Sequence, residues 1–208
     1  MDERDKQRII ERYNQRLALY GDDIRTLASG TEERRHIRFG VLCGIGLEEG
    51  KSVLDLGCGF GDLYDYLQEQ GMRVDYTGYD INPELIAIAQ RKYPGARFEL
   101  KDVQTEPFPE FDFIVSTSAF NLRLGSVDNY QFIEDIFRTC YAHARIGVAI
   151  DFLSSYVDYQ TQGALHYSPE RLFGIAKRIT KRVCVRHDYP LFEFCIYLYK
   201  DFPGRCTL

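Results

Sequence analysis

The chain has 208 residues, 45% hydrophobic and 27% charged, with a net charge of -5. That length suits a single substantial core, and the composition is that of an ordered globular protein rather than a disordered one. No apolar stretch reaches bilayer length, the charged opening MDERDKQRII is unlike a signal peptide, and the acidic balance opposes general nucleic-acid affinity; a cytoplasmic protein without membrane or nucleic-acid partners is expected.

Residues 1–50 carry two helical patterns, one around Ile9, Ile10, Tyr13, Leu17 and Tyr20 and one around Ile37, Phe39, Val41 and Leu42. They are expected to form an N-terminal helical cap on a second unit, residues 51–208. There strands and helices alternate. The run VLDL (53–56) reads as a buried strand, and Leu63, Tyr66 and Leu67 mark a helix that stops at Gly71. Residues 76–80 form a second strand, after which Asn82 caps a helix with Pro83 at its first position and Pro94-Gly95 closes it. Residues 97–100, 111–117 and 147–153 supply strands three to five, with a helix over 130–141. Ser168 caps a helix beginning at Pro169. KRVCVRHDY and PLFEFCIYLYK then read as two strands joined around Tyr189-Pro190, close enough to pair antiparallel. The expected fold is α/β, a doubly wound seven-stranded sheet ending in an antiparallel hairpin.

Cys43, Cys58, Cys140, Cys184, Cys195 and Cys206 form no CxxC pair and have no zinc-like spacing to a histidine. They are expected to be reduced and mostly buried, with no metal site.

The stretch VLDLGCGFGDL (53–63) carries the chemistry. Its glycines, Gly57, Gly59 and Gly61, follow directly on a strand, where the backbone turns tightly and admits a ligand at close range. A dinucleotide loop would have a further glycine where Asp62 stands, and an aspartate there opposes a bound pyrophosphate. Asp55, Asp80 and Asp102 all fall at strand ends. Asp80, nineteen residues after Gly61, has the placement of an acid that accepts hydrogen bonds from a free ribose diol.

Together with YTGYDINPELI, FELKDVQ and FDFIVSTSAFNL, this stretch resembles the class I S-adenosylmethionine-dependent methyltransferase family, a Rossmann-like fold, in element order from about residue 50 to 200. The resemblance implies S-adenosyl-L-methionine as cofactor. It also implies that Gly57, Cys58, Gly59 and Gly61 face the methionine portion, and that Asp55 orders that loop or meets the ammonium. Asp80 is implied to hold the ribose hydroxyls, with Ile81 against the adenine. Asp102 is implied to accept from the adenine amino group with Val103 beside the ring, and Ser116 to Ser118 to line the region near the sulfonium.

On the acceptor side, SAFNLR offers Asn121 and Arg123 for a polar or anionic substrate. The segment SSYVDYQTQGALHYSPE offers Tyr156 and Tyr167 as pocket walls and His166 as a general base. In TEERRHIRFG, one of Arg34, Arg35 and Arg38 is expected to pair with the cofactor carboxylate. Arg34 is assigned to a solvated face, and Arg38 is the candidate. Tyr13 and Tyr20 either close over the cofactor or pack on the sheet, with packing expected for Tyr13. A small-molecule methyltransferase is the leading reading. The alternatives are an RNA methyltransferase using Lys177, Arg178, Lys181, Arg182 and Arg186, a non-catalytic S-adenosylmethionine-binding module, and an NAD-dependent oxidoreductase. The acceptor atom and oligomeric state stay open.

Overall fold

The computed structural model describes residues 1–201; Cys206 lies outside them. Helices α1 (Glu3–Tyr20) and α2 (Glu32–Cys43) precede an alternation of β1 (Ser52–Leu56), α3 (Asp62–Glu69), β2 (Asp75–Asp80), α4 (Pro83–Lys92) and β3 (Arg97–Leu100). Then follow β4 (Phe111–Ser116), α5 (Asn129–His143), β5 (Ala144–Leu153), α6 (Pro169–Lys177), β6 (Val183–Arg186) and β7 (Glu193–Tyr199). The sheet order is β3-β2-β1-β4-β5-β7-β6, with β1 to β5 parallel and β7 antiparallel to both its neighbours. The chain works outward from β1 to the β3 edge, then returns to place β4 on the other side of β1. That reversal opens a crevice beyond the carboxyl ends of β1 and β4.

The central strands β1, β4, β5 and β7 are buried along most of their length because both faces are covered. On β1, Leu54 and Leu56 belong to one buried cluster with Ile133 and Phe137 of α5 and Leu172 of α6, whereas Val53 belongs to another with Phe39 and Leu42 of α2 and Leu63 of α3. Asp55 shares the second face, and its burial there is the exception that marks the site. Helix starts follow local chemistry: Asn82, Asp128 and Ser168 each accept backbone amides of the first turn they precede.

Helix α1 is held differently. Asp5 is its one fully buried residue, so polar ties rather than apolar burial set its place. The Asp5 carboxylate accepts from the amides of Gly125 and Ser126 and from the Ser126 hydroxyl. Farther along, the Asn82 amide donates to Asn14 at 2.7 Å and Asn14 donates to Glu84 at 3.0 Å. The helix therefore runs as a strap across the mouth of the crevice.

Two boundaries differ from the sequence expectation. β5 begins at Ala144, directly after α5 with no loop, because Ala144 already takes extended backbone while its N–H still bonds to Cys140. The terminal strands shrink to residues 183–186 and 193–199. Pro190 has no amide to give a ladder, and Leu191 N–H turns back to the Tyr189 carbonyl at 2.8 Å, so the connection spans six residues rather than a tight turn.

Gly78 in β2 lies behind the glycine turn, where an added Cβ would stand 2.7 Å from Phe98 Cδ1 and 2.8 Å from Cys58 Sγ. Gly78→Ala is expected to cost about 1–3 kcal/mol by overpacking. Urea unfolding of the two proteins measures it, and equal midpoints would refute the tight packing.

Candidate active site

At the end of β1 the backbone turns through Gly57, whose φ is +78° and whose added Cβ would come within 2.5 Å of Ala119 Cβ. The loop after β4 thus rests directly on the glycine turn, and no side chain fits between them. The amides of Gly57 and Cys58 both donate to the Tyr79 carbonyl, at 2.7 and 3.0 Å. The Asp80 carboxylate completes the anchorage by accepting from Gly59 N–H at 3.0 Å and Asn82 N–H at 2.8 Å. Burial raises the Asp80 pKa against the pull of these amides. A carboxylate has about four acceptor positions, so capacity is left on the cleft side.

Asp55 is 1% exposed. Its Oδ2 accepts from the Tyr76 hydroxyl at 2.7 Å, while Oδ1 is buried without any partner. Burial pushes this carboxyl up to about 7, the Tyr76 bond opposing and the charge on Asp80 adding to the rise. Opposite it, Arg35 of α2 donates through Nη1 to Asp62 Oδ2 at 2.6 Å, and its Nε is buried and unpartnered. Asp62, the residue in place of a further glycine, is therefore half of an ion pair in the cleft wall.

Arg38 also lines the cleft, but its guanidinium is committed: Nη1 donates to Glu193 at 3.0 Å and Nη2 to the Ser29 carbonyl. Of the three arginines in TEERRHIRFG, Arg35 is the one that lines the cleft and keeps a buried nitrogen, Nε, without a partner. Leu27 lies over Gly59 and closes this end.

At the other end, Ile81, Leu85 and Val103 form apolar walls beside Asp102. Asp102 Oδ1 accepts from Gln104 N–H at 3.0 Å and Oδ2 from Lys6 Nζ at 3.1 Å. Met1 donates its ammonium to Gln104 at 2.8 Å. Tyr13 lines the cleft too, its hydroxyl raised by burial and then by the charge on Asp80. Packing and covering the cleft are thus one role for this residue.

The loop after β4 supplies Thr117, Ser118, Ala119 and Phe120 to the lining. Ser118 adopts a left-handed φ of +58°, and Asp151 of β5 accepts from its amide at 2.6 Å and from the Thr117 hydroxyl at 2.7 Å. Burial, then the charge on Glu193, push Asp151 up to about 7. Asp151 went unpredicted, although an acid inside the apolar strand GVAIDFL was the available signal. Lys6, Met1 and Leu27 carried none, since nothing local says which face of a helix or turn meets the cleft.

Several predicted residues lie elsewhere. Ser116 is buried below the cleft, donating to the Leu56 carbonyl at 2.6 Å. His166 is outside the lining, with Nδ1 donating to the Ser154 carbonyl at 2.8 Å and Nε2 accepting from Thr161 N–H at 3.2 Å. Both ring nitrogens are spent on the backbone, which corrects its expected role as base. Tyr167 is buried against Phe152, its hydroxyl on the Phe120 carbonyl, and Tyr156 is exposed, paired with Glu170. Asn121 accepts from Leu153 N–H at 2.9 Å, bracing the loop rather than facing the cleft. Arg123 lies in an adjoining groove that shares Ile9, Leu122 and Leu124 with the cleft.

A family model described as "Methyltransferase domain" matches residues 53–142. The chain is 36% identical over 154 residues to "Putative methyltransferase Rv1506c" of Mycobacterium tuberculosis, covering 72% of this chain and 93% of that protein. It is also 36% identical over 77 residues to the demethylmenaquinone methyltransferase of Chlorobaculum parvum, of which it spans 31%. Among solved structures, the magnesium protoporphyrin IX methyltransferase of Synechocystis PCC 6803 with bound SAH superposes with a TM-score of 0.65 at 14% identity, over 95% of this chain and 100% of that one. At that identity the likeness is one of fold.

Asp55 binds its proton more tightly folded than unfolded, so from about pH 4 to about pH 7 the native chain keeps a proton that the unfolded chain releases. Stability of the ligand-free protein is expected to fall as pH rises through that window, by up to about 1.4 kcal/mol per pH unit from this group. In Asp55→Asn that share of the slope is expected to vanish. Urea melts at pH 5 and pH 7 check it, and an identical slope in the variant would count against the raised pKa.

Proposed function

The chain belongs to the class I S-adenosylmethionine-dependent methyltransferases, and from that premise we propose that its cleft delivers the cofactor's methyl group to a small, largely apolar acceptor. One observation carries the fit. The glycine turn is flanked by a buried acceptor atom without a partner, Asp55 Oδ1, and a buried donor atom without a partner, Arg35 Nε. These are the complements of an ammonium and a carboxylate, the two ends of an α-amino acid. Leaving both groups buried and unmet is costly, so a ligand bearing both charges is strongly favoured there.

By this reading, Asp55 and Arg35 would hold the methionine end of S-adenosylmethionine over the Gly57 turn. The spare lone pairs of Asp80 would take the ribose diol, and Ile81, Val103 and Asp102 would hold the adenine, with Lys6 sharing the Asp102 carboxylate. When bound, the cofactor supplies a methyl group on a sulfonium that leaves as a neutral thioether. The protein's own work is then alignment and exclusion of water. Thr117, Ser118 and Ala119, pinned by Asp151, set the wall nearest the glycine turn. Phe120, Leu122, Phe132 and Ile136 give the remaining space an apolar lining.

A small acceptor accords with the names of two similar proteins, which act on a menaquinone precursor and on a porphyrin. The nucleic-acid alternative draws no support from the basic run near the C-terminal strands. Arg178 pairs with Glu134, Arg186 with Asp188 and Arg182 with Asp201, while Lys177 donates to the Lys181 carbonyl. No helix among the described residues is long and apolar enough to cross a membrane. A cytoplasmic setting is part of the proposal, supported by five free thiols among the described residues, three of them buried.

Calorimetry with S-adenosylhomocysteine tests the assignment. Asp80→Ala is expected to weaken binding at least about tenfold through lost charge-assisted hydrogen bonds, and Arg35→Gln by about the same factor. Arg38→Gln, by contrast, is expected to lower stability by about 3–5 kcal/mol by leaving Glu193 buried and unpaired. Affinity indifferent to both Asp80→Ala and Arg35→Gln would remove the proposal.

A further inference from the structure

Helix α1 and the loop 122–125 meet along a seam beside the cleft, and both elements are two-sided there. Toward the cleft they present Ile9 and Tyr13 from the helix and Leu122 and Leu124 from the loop. Toward solvent, the same stretches present Arg8, Arg12 and Arg123, which line an outer groove. Ile9, Leu122 and Leu124 belong to both linings, so the apolar interior and the cationic groove share one wall. Glu11 and Gln15 also line the groove, leaving three guanidinium groups against one carboxylate in a chain whose net charge is -5.

The three arginines are not equivalent. Arg8 is built into the seam: it pairs with Asp5 at 2.7 Å and donates to the Arg123 carbonyl at 2.6 Å, tying helix to loop. Arg12 and Arg123 are exposed, and among the described residues neither guanidinium lies within ion-pair distance of a carboxylate. The backbone of Arg123 is nonetheless fixed, its amide donating to the Gly163 carbonyl at 3.0 Å. Two unpaired cations on anchored backbone, in a groove that shares Ile9, Leu122 and Leu124 with the apolar cleft, form a site for an anion carried by an apolar molecule.

We infer that the methyl acceptor is an amphipathic anion: its apolar body lies along Ile9, Leu122 and Leu124, and a carboxylate or phosphate at its outer end pairs with Arg12 and Arg123. This rests on the methyltransferase reading and adds the acceptor's charge and polarity to it. A plain hydrocarbon gains nothing from the rim, and a cationic amphiphile is repelled by it.

The test uses calorimetry on the full chain saturated with S-adenosylhomocysteine, titrated with decanoate, decyl phosphate, decanol and decyltrimethylammonium. At least one of the anions is expected to bind about tenfold or more tightly than decanol, as charge-assisted pairing predicts. Stronger binding of decanoate would assign a carboxylate, and stronger binding of decyl phosphate a phosphate. In the double variant Arg12→Gln, Arg123→Gln the preference over decanol is expected to disappear while S-adenosylhomocysteine affinity stays unchanged, since both side chains are on the surface. The inference is overturned if neither anion binds at millimolar concentration, if decanol or the ammonium matches them, or if the preference survives the double substitution. Failure of the unaltered protein to bind S-adenosylhomocysteine would instead bring down the cofactor reading beneath it, so the two failures are told apart.

Discussion

The carboxylate of Asp80 joins three elements that the chain makes separately. It ends β2, takes an amide from the glycine turn that follows β1, and takes another from the start of α4. Burying an acid there opposes its ionisation, and the amides offset that cost by supplying the solvation that water gave in the unfolded chain. The turn cannot relax away from β2 without exposing this charge to an empty, low-dielectric surround. The position of the turn against Ala119, the placement of Asn82 as a helix cap, and the shape of the cleft between them all follow from this one anchored group.

Around it the cleft collects negative charge. Asp55, Asp62, Asp80 and Asp102 line it beside Arg35, Arg38 and Lys101, with Arg35 paired to Asp62 and Lys6 to Asp102. Carboxylates set along a cleft in this way favour a ligand that itself carries positive charge, as a sulfonium with a free ammonium does. Burial above all, with the charges on Asp80 and Asp62 adding to it, raises the Asp55 carboxyl to about 7, so the folded chain prefers to hold a proton there.

The strap α1 completes the enclosure by a different kind of bonding from the rest of the fold. The sheet and its covering helices are held by apolar burial, which has no direction, whereas α1 is held by a few polar contacts at fixed points, Asp5 on the 125–126 amides, Lys6 on Asp102 and Asn14 on Asn82.

How much of this was legible beforehand divides along one line. The alternation of strands and helices, the seven-stranded sheet, the helix caps and the acids at strand ends follow from spacing and side-chain chemistry within a few residues, and those were readable from the chain alone. Asp55 belongs to that class because it and the glycines lie in one short stretch, and Asp80 because its distance along the chain from Gly61 puts it at the end of the next strand. What only the tertiary structure decided is which distant groups meet. Arg35 rather than Arg38 has a spare donor because Glu193, far along the chain, claims the latter. His166 and Asn121 are spent on the backbone of neighbouring segments. Lys6 and Asp151 reach the cleft region through a helix and a strand whose placement is set by packing. Local sequence determines conformation because short-range sterics and hydrogen bonds do; the pairing of charges across the fold depends on a geometry that exists only once the sheet has formed.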